Sequence, residues 1–419
     1  MIFTAVRDII SENGTTPEKE LIYMVSEQML EYGNNRCLIR EISEICAKKA
    51  AEIGRDKLYD FSIGNPSVPS PAAVREAMLD ILQNENPLNI HSYTSAPGLM
   101  ETRNAIADNL NRRFETFYSG KNIFMTSGAS TSLVCSIKAV LKDADSEIIG
   151  IAPYFMEYKA FTEGNGGKFR LVSADTENFQ INFDELESLI NEKTQGVIIN
   201  SPNNPSGVIY SAETLTRLSA LLTEKSEKYG HAIYLISDEP YRELVYTDEP
   251  LPFAAKFYNN TIVCYSYSKS LSLPGERIGY VLVPCEAENW EDVYAAVAGG
   301  ARASGFICAP SLMQKVIARC SDVMPDIEIY RKNRDLLYGA LTEIGYECAN
   351  PAGAFYLFVK APNGDATPFC MKAMEENLFI VPGSEFACPS HFRAAYCVDY
   401  EMIERSLPIY KKMFEEAIK

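Results

Sequence analysis

The sequence has few of the residues that build most metal and hydrolase sites. It contains three histidines in 419 residues, His91, His231 and His391, and none stands at a zinc-ligand spacing or beside a nucleophile motif. Its eleven cysteines form no CxxC pair, so we predict buried thiols in a reducing cytoplasm and no bound metal. Apolar runs long enough to span a bilayer are also missing from the sequence.

Positive charge is scarce as well. The chain carries 39 Lys and Arg against 56 Asp and Glu, a net charge of −17, and 47% of its residues are hydrophobic. Because an acidic chain repels phosphate backbones and anionic lipids, we expect no nucleic acid or membrane partner. Small anionic ligands are still compatible with it, since a pocket can be locally positive. Residues 1–23 lack the apolar core of a signal peptide, and Met24 is an alternative start.

Short apolar runs alternate with helical patterns from about residue 120 onward. EIIGI, VIIN, YLISD and TIVCY are such runs, and helix-like segments lie between them. This alternation predicts βαβ units and a mostly parallel sheet. After about residue 324 a polar helix and several short strand-like segments are typical of a smaller α+β domain. Ligands of open α/β sheets bind beyond the carboxyl ends of the strands, where the polar clusters of this chain fall.

The stretch SYSKSLSLPGERIGY, residues 266–280, places Lys269 among small residues after the apolar run TIVCY. Most loop lysines are simply solvated. A lysine held in a partly buried site, however, loses proton affinity and becomes an amine that can form a Schiff base with an aldehyde. Ser266, Ser268 and Arg277 can donate hydrogen bonds to a phosphate. These residues would suit a ligand that carries both an aldehyde and a phosphate, and pyridoxal phosphate (PLP) is such a molecule.

Other motifs meet the further demands of a PLP site. The ring nitrogen needs a buried carboxylate, and SDEPY supplies Asp238 at a strand end, although a helix N-cap explains that residue alone equally well. Tyr241 and Asn204 are candidates to donate to the ring's 3-oxygen. TSGAST, residues 126–131, is a glycine-containing turn that opens a helix and suits a phosphate. Phe155 can pack against the ring, or belong to the core.

Taken together, these motifs resemble those of class I aminotransferases, aspartate aminotransferase-like members of the PLP fold type I superfamily, over residues 59–410. The stretch around Lys269 is similar to the family's S-x-S-K-x-x-x-x-x-G-x-R-x-G motif. SPNNPSG resembles N-P-x-N-P-[TS]-G, with Ser201 in place of the first asparagine. HSYTSAPGLMETRNAIA resembles Y-x-x-x-x-G-x-x-x-L-R-x-A-I-A, with Thr102 in place of leucine. SDEPYRELVY, PAGAFYLF and VPGSEF complete six matches in the family's order.

The resemblance implies the architecture. We expect an α/β fold whose large PLP-binding domain, residues 59–324, has a mostly parallel seven-stranded sheet sandwiched by helices. A smaller α+β domain is expected from both chain ends, residues 1–58 and 325–419. The family's architecture further implies a homodimer with shared active sites, in which Tyr93 reaches the phosphate bound by the neighbouring subunit.

The resemblance also implies roles for individual residues. The catalytic residues are Lys269, which binds the cofactor and carries the proton, Asp238, which pairs with the pyridinium, and Tyr241. Asn204 joins Tyr241 at the 3-oxygen. The remaining cofactor contacts come from the phosphate-binding and ring-packing residues Ala129, Ser130, Phe155, Ser266 and Arg277. Substrate contacts come from the Arg393 side chain, which clamps the α-carboxylate, and from Asn204 and the Gly64 backbone.

The implied activity is ping-pong transfer of an amino group from an L-amino acid to a 2-oxo acid. Aspartate with 2-oxoglutarate is favoured, because glutamate and 2-oxoglutarate are the family's common second pair. Arg302 either recognises the substrate side chain or faces solvent, and Phe155, Phe306 and Tyr356 equally suit an aromatic or aliphatic substrate. A carbon–sulfur β-lyase would use the same lysine and aspartate, and a non-catalytic PLP-fold module is the rival from another class.

Overall fold

The structure is a computed structural model that describes residues 25–34 and 38–419. The predictions for residues 1–23 and for Met24 lie outside the described residues. Within the described part, no helix is long and apolar enough to cross a membrane.

The described strands fall into three sheets. Their bounds are β1 (Tyr59–Asp60), β2 (Ile123–Thr126), β3 (Glu147–Ile151), β4 (Lys168–Val172), β5 (Thr194–Asn200), β6 (Tyr234–Asp238), β7 (Thr261–Ser266), β8 (Gly279–Leu282), β9 (Tyr356–Lys360), β10 (Leu378–Phe379), β11 (Val381–Pro382) and β12 (His391–Ala395). The α-helices are Glu27–Asn34, Leu38–Ile53, Ala72–Asn84, Pro87–His91, Met100–Phe114, Ala129–Val140, Glu157–Gly164, Phe183–Leu189, Ala212–Tyr229, Tyr267–Ser270, Trp290–Ala303, Ser311–Cys320, Glu328–Ile344, Ala366–Glu375 and Tyr400–Ala417.

The largest sheet has seven strands in the order β2-β8-β7-β6-β5-β3-β4. The pairs from β7 to β4 are parallel, and only β8 runs against its neighbours β7 and β2. The expected mostly parallel seven-stranded sheet of an α/β fold is therefore confirmed. Strands of this kind are covered on both faces, which explains why β5 and β7 are buried along their whole lengths and have nearly continuous apolar sequences.

Alternate residues of each central strand pack against opposite layers of helices. In β5, Val197 and Ile199 belong to the cluster that contains Leu218 of helix Ala212–Tyr229. Ile198 points to the other face, into the cluster that contains Ile137 of helix Ala129–Val140. This two-residue period buries both faces of the sheet and fixes the register, since a slip by one residue would exchange the two faces.

A second, antiparallel sheet has the order β11-β12-β9. Its central strand β12 places Arg393 opposite Phe358 of β9 and Val381 of β11. Helices Glu328–Ile344 and Tyr400–Ala417 pack beside this sheet over a core rich in aromatic residues. Because β12 is covered on both sides, Arg393 is a buried charge in an otherwise mostly apolar strand.

Lys269 lies in a local structure that differs from the predicted one. The sequence pattern predicts a strand over TIVCYSYSKS, residues 261–270, followed by a loop. That extent is wrong, because the strand ends at Ser266 and a one-turn helix, Tyr267–Ser270, follows. The Ser266 hydroxyl caps this helix by accepting a hydrogen bond from the Ser268 N–H at 3.1 Å. The serine that ends this buried strand therefore turns the chain and directs Lys269 off the sheet edge.

A buried ion pair fixes the turn that follows β6. Arg242 Nε donates to Glu239 at 2.7 Å, and the two side chains are 1% and 5% exposed. Arg242 Nη1 also donates to the Tyr280 hydroxyl at 2.7 Å, and its guanidinium stacks 4.5 Å from the Tyr265 ring centroid. Since residues 239 and 242 flank Tyr241, this pair holds the strand-end turn in one conformation.

We expect Arg242→Ala to lower the free energy of unfolding by about 3–5 kcal/mol, because Glu239 would remain buried without its partner. Chemical denaturation of the purified variant measures this. The matched control is Arg405→Ala, which breaks an exposed pair with Glu401 at 4.0 Å and should change stability by no more than about 0.5 kcal/mol. Equal, small losses in both variants would contradict a stabilising role for the buried pair.

Candidate active site

The carboxyl ends of three adjacent parallel strands supply polar side chains to one edge of the large sheet. Asn200 ends β5, Asp238 ends β6 and Ser266 ends β7, and Asn200 is in register with Asp238. Beyond this edge lies a cavity of about 300 Å³. Its walls come from the sheet edge, from the start of helix Ala129–Val140, and from Arg393 of the second sheet.

Lys269 extends into this cavity as a partly buried amine. Its Nζ donates a hydrogen bond to the Gly64 carbonyl oxygen at 2.7 Å, across 205 positions of sequence. The pKa of Lys269 is lowered to about 8, chiefly by burial; Cys397 opposes the shift, and the positive charges of Arg393 and Arg277 contribute to it. A larger fraction of this lysine than of an exposed one is therefore an uncharged, nucleophilic amine near neutral pH.

Asp238 is buried at the end of β6 with one oxygen free. Its Oδ2 accepts a hydrogen bond from the Tyr158 hydroxyl at 2.6 Å, and its main-chain oxygen accepts one from Asn200 Nδ2 at 2.8 Å. Its Oδ1 has no hydrogen-bond partner among the described residues. Burial raises the pKa of this carboxyl to about 7, against the hydrogen bond from Tyr158, which lowers it. The free oxygen is suited to a cationic donor that arrives with a ligand.

The opposite end of the cavity is built for an anion. Ala129 and Ser130 begin a twelve-residue helix, whose first N–H groups have no partner within the helix. The backbone at Gly128 has φ = 92°, and a Cβ at that position would lie 2.7 Å from Nη2 of Arg277. Glycine is thus required for the guanidinium to approach the turn. Ser266 completes this end of the cavity.

Arg393 and Asn204 form the third wall. Arg393 Nη1 donates to Asn204 Oδ1 at 3.0 Å, and Nη2 donates to the Ser62 carbonyl oxygen at 2.6 Å. Its guanidinium lies 4.6 Å from the centroid of the Tyr356 ring and 5.0 Å from that of Phe386. Although Arg393 is only 3% exposed, it has no carboxylate partner among the described residues. A buried guanidinium that is held in place but not neutralised can bind an incoming carboxylate.

The structure brings eleven of the twelve predicted site residues around the cavity, namely Gly64, Ala129, Ser130, Phe155, Asn204, Asp238, Tyr241, Ser266, Lys269, Arg277 and Arg393. Tyr93 is the exception, because it does not line the cavity and its side chain is 97% exposed. Arg302 is exposed near the end of helix Trp290–Ala303, outside the cavity lining. Phe306 also lies outside the lining, whereas Tyr356 belongs to it.

Two residues with clear contacts at the site were not predicted from the sequence. Tyr158 lies one helical turn after Phe155, and that spacing was the available sign that both face the sheet edge. Asn200 ends a buried strand as Asp238 does, and the same strand-end argument applies to it. A third addition is Ile39 of helix Leu38–Ile53, which lines the cavity from near the N-terminus.

Comparison with known proteins agrees with this geometry. Residues 56–407 match the family described as aminotransferase class I and II. The chain belongs to this family. It is 30% identical to the aspartate aminotransferase of Thermotoga maritima over 384 residues, 88% of this chain and 97% of that protein. It is 30% identical to the aspartate aminotransferase of Bacillus subtilis over 389 residues, 88% of this chain and 94% of that protein.

Solved structures show the same fold. An amino transferase from Eubacterium rectale superposes with a TM-score of 0.93 at 51% identity, covering 95% of this chain and 100% of the other. The aspartate aminotransferase of Thermotoga maritima superposes with a TM-score of 0.82 at 28% identity, covering 93% and 100%. The family uses PLP, and this chain is therefore a PLP-dependent aminotransferase.

The residues present fit that cofactor. PLP brings an aldehyde, which suits the Lys269 amine, and a ring N–H, which suits the unpartnered Oδ1 of Asp238. Its phosphate suits the helix start at Ala129 and the Arg277 guanidinium, between which a side chain at Gly128 would not fit. The donor set is thus complementary to the three polar parts of the molecule.

We expect Asp238→Asn to make the PLP-free enzyme more resistant to unfolding at pH 8 than the natural protein. The pKa of Asp238 is raised in the folded chain from 3.8 to about 7, so both states hold the proton below pH 4 and only the folded state holds it between about 4 and 7. Stability from this group is present at low pH and is lost as the pH rises through that window, by an amount on the order of a few kcal/mol.

Urea unfolding of the PLP-free proteins at pH 5 and pH 8 measures this difference. Asp184→Asn is the control, because that side chain is fully exposed, at 100%, and should leave the natural pH dependence unchanged. If Asp238→Asn lost as much stability between pH 5 and pH 8 as the natural protein, the assigned penalty for burying the carboxylate would be wrong.

Proposed function

We propose that this aminotransferase exchanges the amino group between L-aspartate and 2-oxoglutarate in the cavity around Lys269. One observation carries the proposal: a partly buried amine, a buried carboxylate with a free oxygen and a guanidinium without a carboxylate partner converge on one cavity. The choice of aspartate is supported by the relatives named aspartate aminotransferase. The role given to each residue belongs to the same proposal.

Bound PLP supplies an aldehyde for the amine and a protonated ring that withdraws electrons from the substrate's Cα. Lys269 would hold the cofactor through its amine and, as the free amine, would serve as the base for the proton on Cα, because its lowered pKa leaves it available near neutral pH. Asp238 keeps the proton on the ring nitrogen. The hydrogen bond from Tyr158 favours the ionised form of Asp238 that this role requires.

Other side chains orient the two ligands. Tyr241 and Asn204 donate to the cofactor's 3-oxygen, and Phe155 packs against the ring face. The anion end of the cavity, Ala129, Ser130, Ser266 and Arg277, binds the phosphate. Arg393 binds the substrate's α-carboxylate through a bidentate pair, with Asn204 and the Gly64 backbone beside it. Burial of these charges away from water strengthens each interaction.

We further propose that the enzyme is a homodimer whose subunits share their active sites. Support comes from Tyr93, whose ring is 97% exposed and reaches nothing in its own cavity, and from its exposed apolar neighbour in sequence, Leu88, at 77%. The proposed domain division remains residues 59–324 and the two chain ends, 1–58 with 325–419. A cytoplasmic location is supported by the cysteines, since those of the described residues are all free thiols.

An absorbance spectrum of the purified protein tests the activity. We expect a visible band from lysine-bound PLP that moves to the ultraviolet with L-aspartate and returns with 2-oxoglutarate, since the two half-reactions run in opposite directions. Lys269→Ala should abolish this band. A band that responds to another amino acid instead would overturn aspartate, and pyruvate released from cystathionine without an oxo acid would favour a β-lyase. No band with added PLP would sink the proposal.

Arg393→Lys should raise the KM for both substrates, because both carry the carboxylate that the guanidinium binds. We expect a loss of about 10- to 100-fold in kcat/KM, the scale of one charge-assisted bidentate interaction. Steady-state kinetics measure it, and the band of lysine-bound PLP should persist. Arg405→Lys, at an exposed pair, is the matched control. A change confined to one of the two substrates would contradict a shared carboxylate site.

A further inference from the structure

Tyr356 contacts three functional groups of the cavity at once. It begins β9, is 3% exposed and lines the cavity. Its hydroxyl lies 2.9 Å from the Tyr241 hydroxyl, and its ring lies under the Arg393 guanidinium, 4.6 Å from ring centroid to charge. A side chain at Gly64, whose carbonyl binds Lys269, would overlap the Tyr356 phenol. From the sequence, this tyrosine is expected only to offer a surface for the substrate side chain, with no role toward Tyr241 or Arg393.

Counting protons gives the hydrogen bond between the two phenols a direction. Each phenol carries a single hydrogen, and either oxygen can be the donor in the pair. If Tyr241 donated to Tyr356, it would have no hydrogen left for a ligand in the cavity. The Tyr356 hydroxyl makes no other hydrogen bond among the described residues. The Tyr356 hydroxyl can therefore donate its hydrogen to the Tyr241 oxygen.

We propose that Tyr356 is a positioning residue that donates its proton to Tyr241, so that the Tyr241 proton is available to the cofactor's 3-oxygen, while its ring supports Arg393 for the substrate carboxylate. The inference rests on the proposed function, in which Tyr241 serves the 3-oxygen and Arg393 the carboxylate. One side chain thereby connects the cofactor site with the carboxylate site.

The charges around the two phenols favour this direction. Burial raises the pKa of Tyr356 to about 12, a rise that the positive charge of Arg393 limits. Burial, together with Tyr356, holds the pKa of Tyr241 well above its ordinary range. The Arg393 guanidinium stacks on the Tyr356 ring, and its positive charge polarises the Tyr356 hydroxyl toward donation to Tyr241. The other charged or titratable groups near this cluster are Asp238, Lys269, Arg277 and Cys397.

The hydroxyl is tested by Tyr356→Phe, which keeps the ring. In lysine-bound PLP the imine proton partly neutralises the negative charge on the 3-oxygen. When that proton is lost, the oxygen carries the full charge, so a hydrogen-bond donor at the 3-oxygen stabilises the deprotonated form. Weakening the donor should therefore raise the pH midpoint of the visible absorbance by about half to one unit, the scale of one hydrogen bond. The KM for either substrate should change less than about twofold, since the aromatic ring under the Arg393 guanidinium remains.

The ring is tested by Tyr356→Leu, which removes the surface under the guanidinium. We expect the KM for L-aspartate and for 2-oxoglutarate to rise together by about tenfold, the scale of a desolvated cation–π contact. Tyr346→Phe is the control for both variants, because its buried hydroxyl donates to the Tyr410 carbonyl oxygen at 2.9 Å, away from the cavity. It should lower the denaturation midpoint without moving the absorbance midpoint or either KM.

A double-mutant comparison decides whether Tyr356 acts through Tyr241. In a Tyr241→Phe background, the further change Tyr356→Phe should add no shift of the absorbance midpoint, because the intermediary hydroxyl is already gone. A full additional shift there, or an unchanged midpoint in Tyr356→Phe alone, overturns the proposal. Failure of the proposed function is seen separately, because the unmodified protein would then show no visible band that responds to amino acids.

Discussion

The site depends on one group that lowers the stability of the empty protein. This group is a carboxylate buried at the end of a parallel strand with one oxygen left without a hydrogen-bond partner in the described part of the chain. The fold supports Asp238 from two sides, through the Tyr158 hydroxyl and through the main-chain contact with Asn200, and leaves Oδ1 for a ligand. Such a group destabilises the empty protein and is compensated only when a cationic partner binds. The sheet, whose central strands are buried along their full length, provides the rigid surroundings that keep this carboxylate in place.

The large sheet could be predicted from the sequence because its determinants are local. Parallel strands that are covered on both faces need apolar runs, and such runs can be recognised one at a time, as for TIVCY in β7 and VIIN in β5. The one-turn helix that carries Lys269 could not be predicted in the same way, since it depends on the cap from Ser266. This helix directs the Lys269 amine at the Gly64 carbonyl oxygen.

The site residues likewise divide into those that a local sequence motif identifies and those that depend on contacts between distant parts of the chain. Those in strand-end motifs, such as Asp238 and Arg277, could be identified because each motif has its own chemistry. Tyr158 was harder to identify, because it contacts Asp238 from 80 positions away and its spacing from Phe155 was the one sign in the sequence. For Tyr93, which is exposed and does not line its own cavity, one chain gives no contact that tests its role.

Two cationic side chains of the cavity, Lys269 and Arg393, are held by the same short segment. Arg393 donates to the Ser62 carbonyl oxygen and Lys269 to the Gly64 carbonyl oxygen, so a three-residue segment joins positions 331 and 205 residues away. Both contacts use main-chain oxygens, so they depend on the backbone conformation of residues 62–64. The residue between them, Ile63, lines the cavity with its side chain 43% exposed. An engineer who wishes to alter substrate range can vary residue 63 while both cation contacts stay as they are.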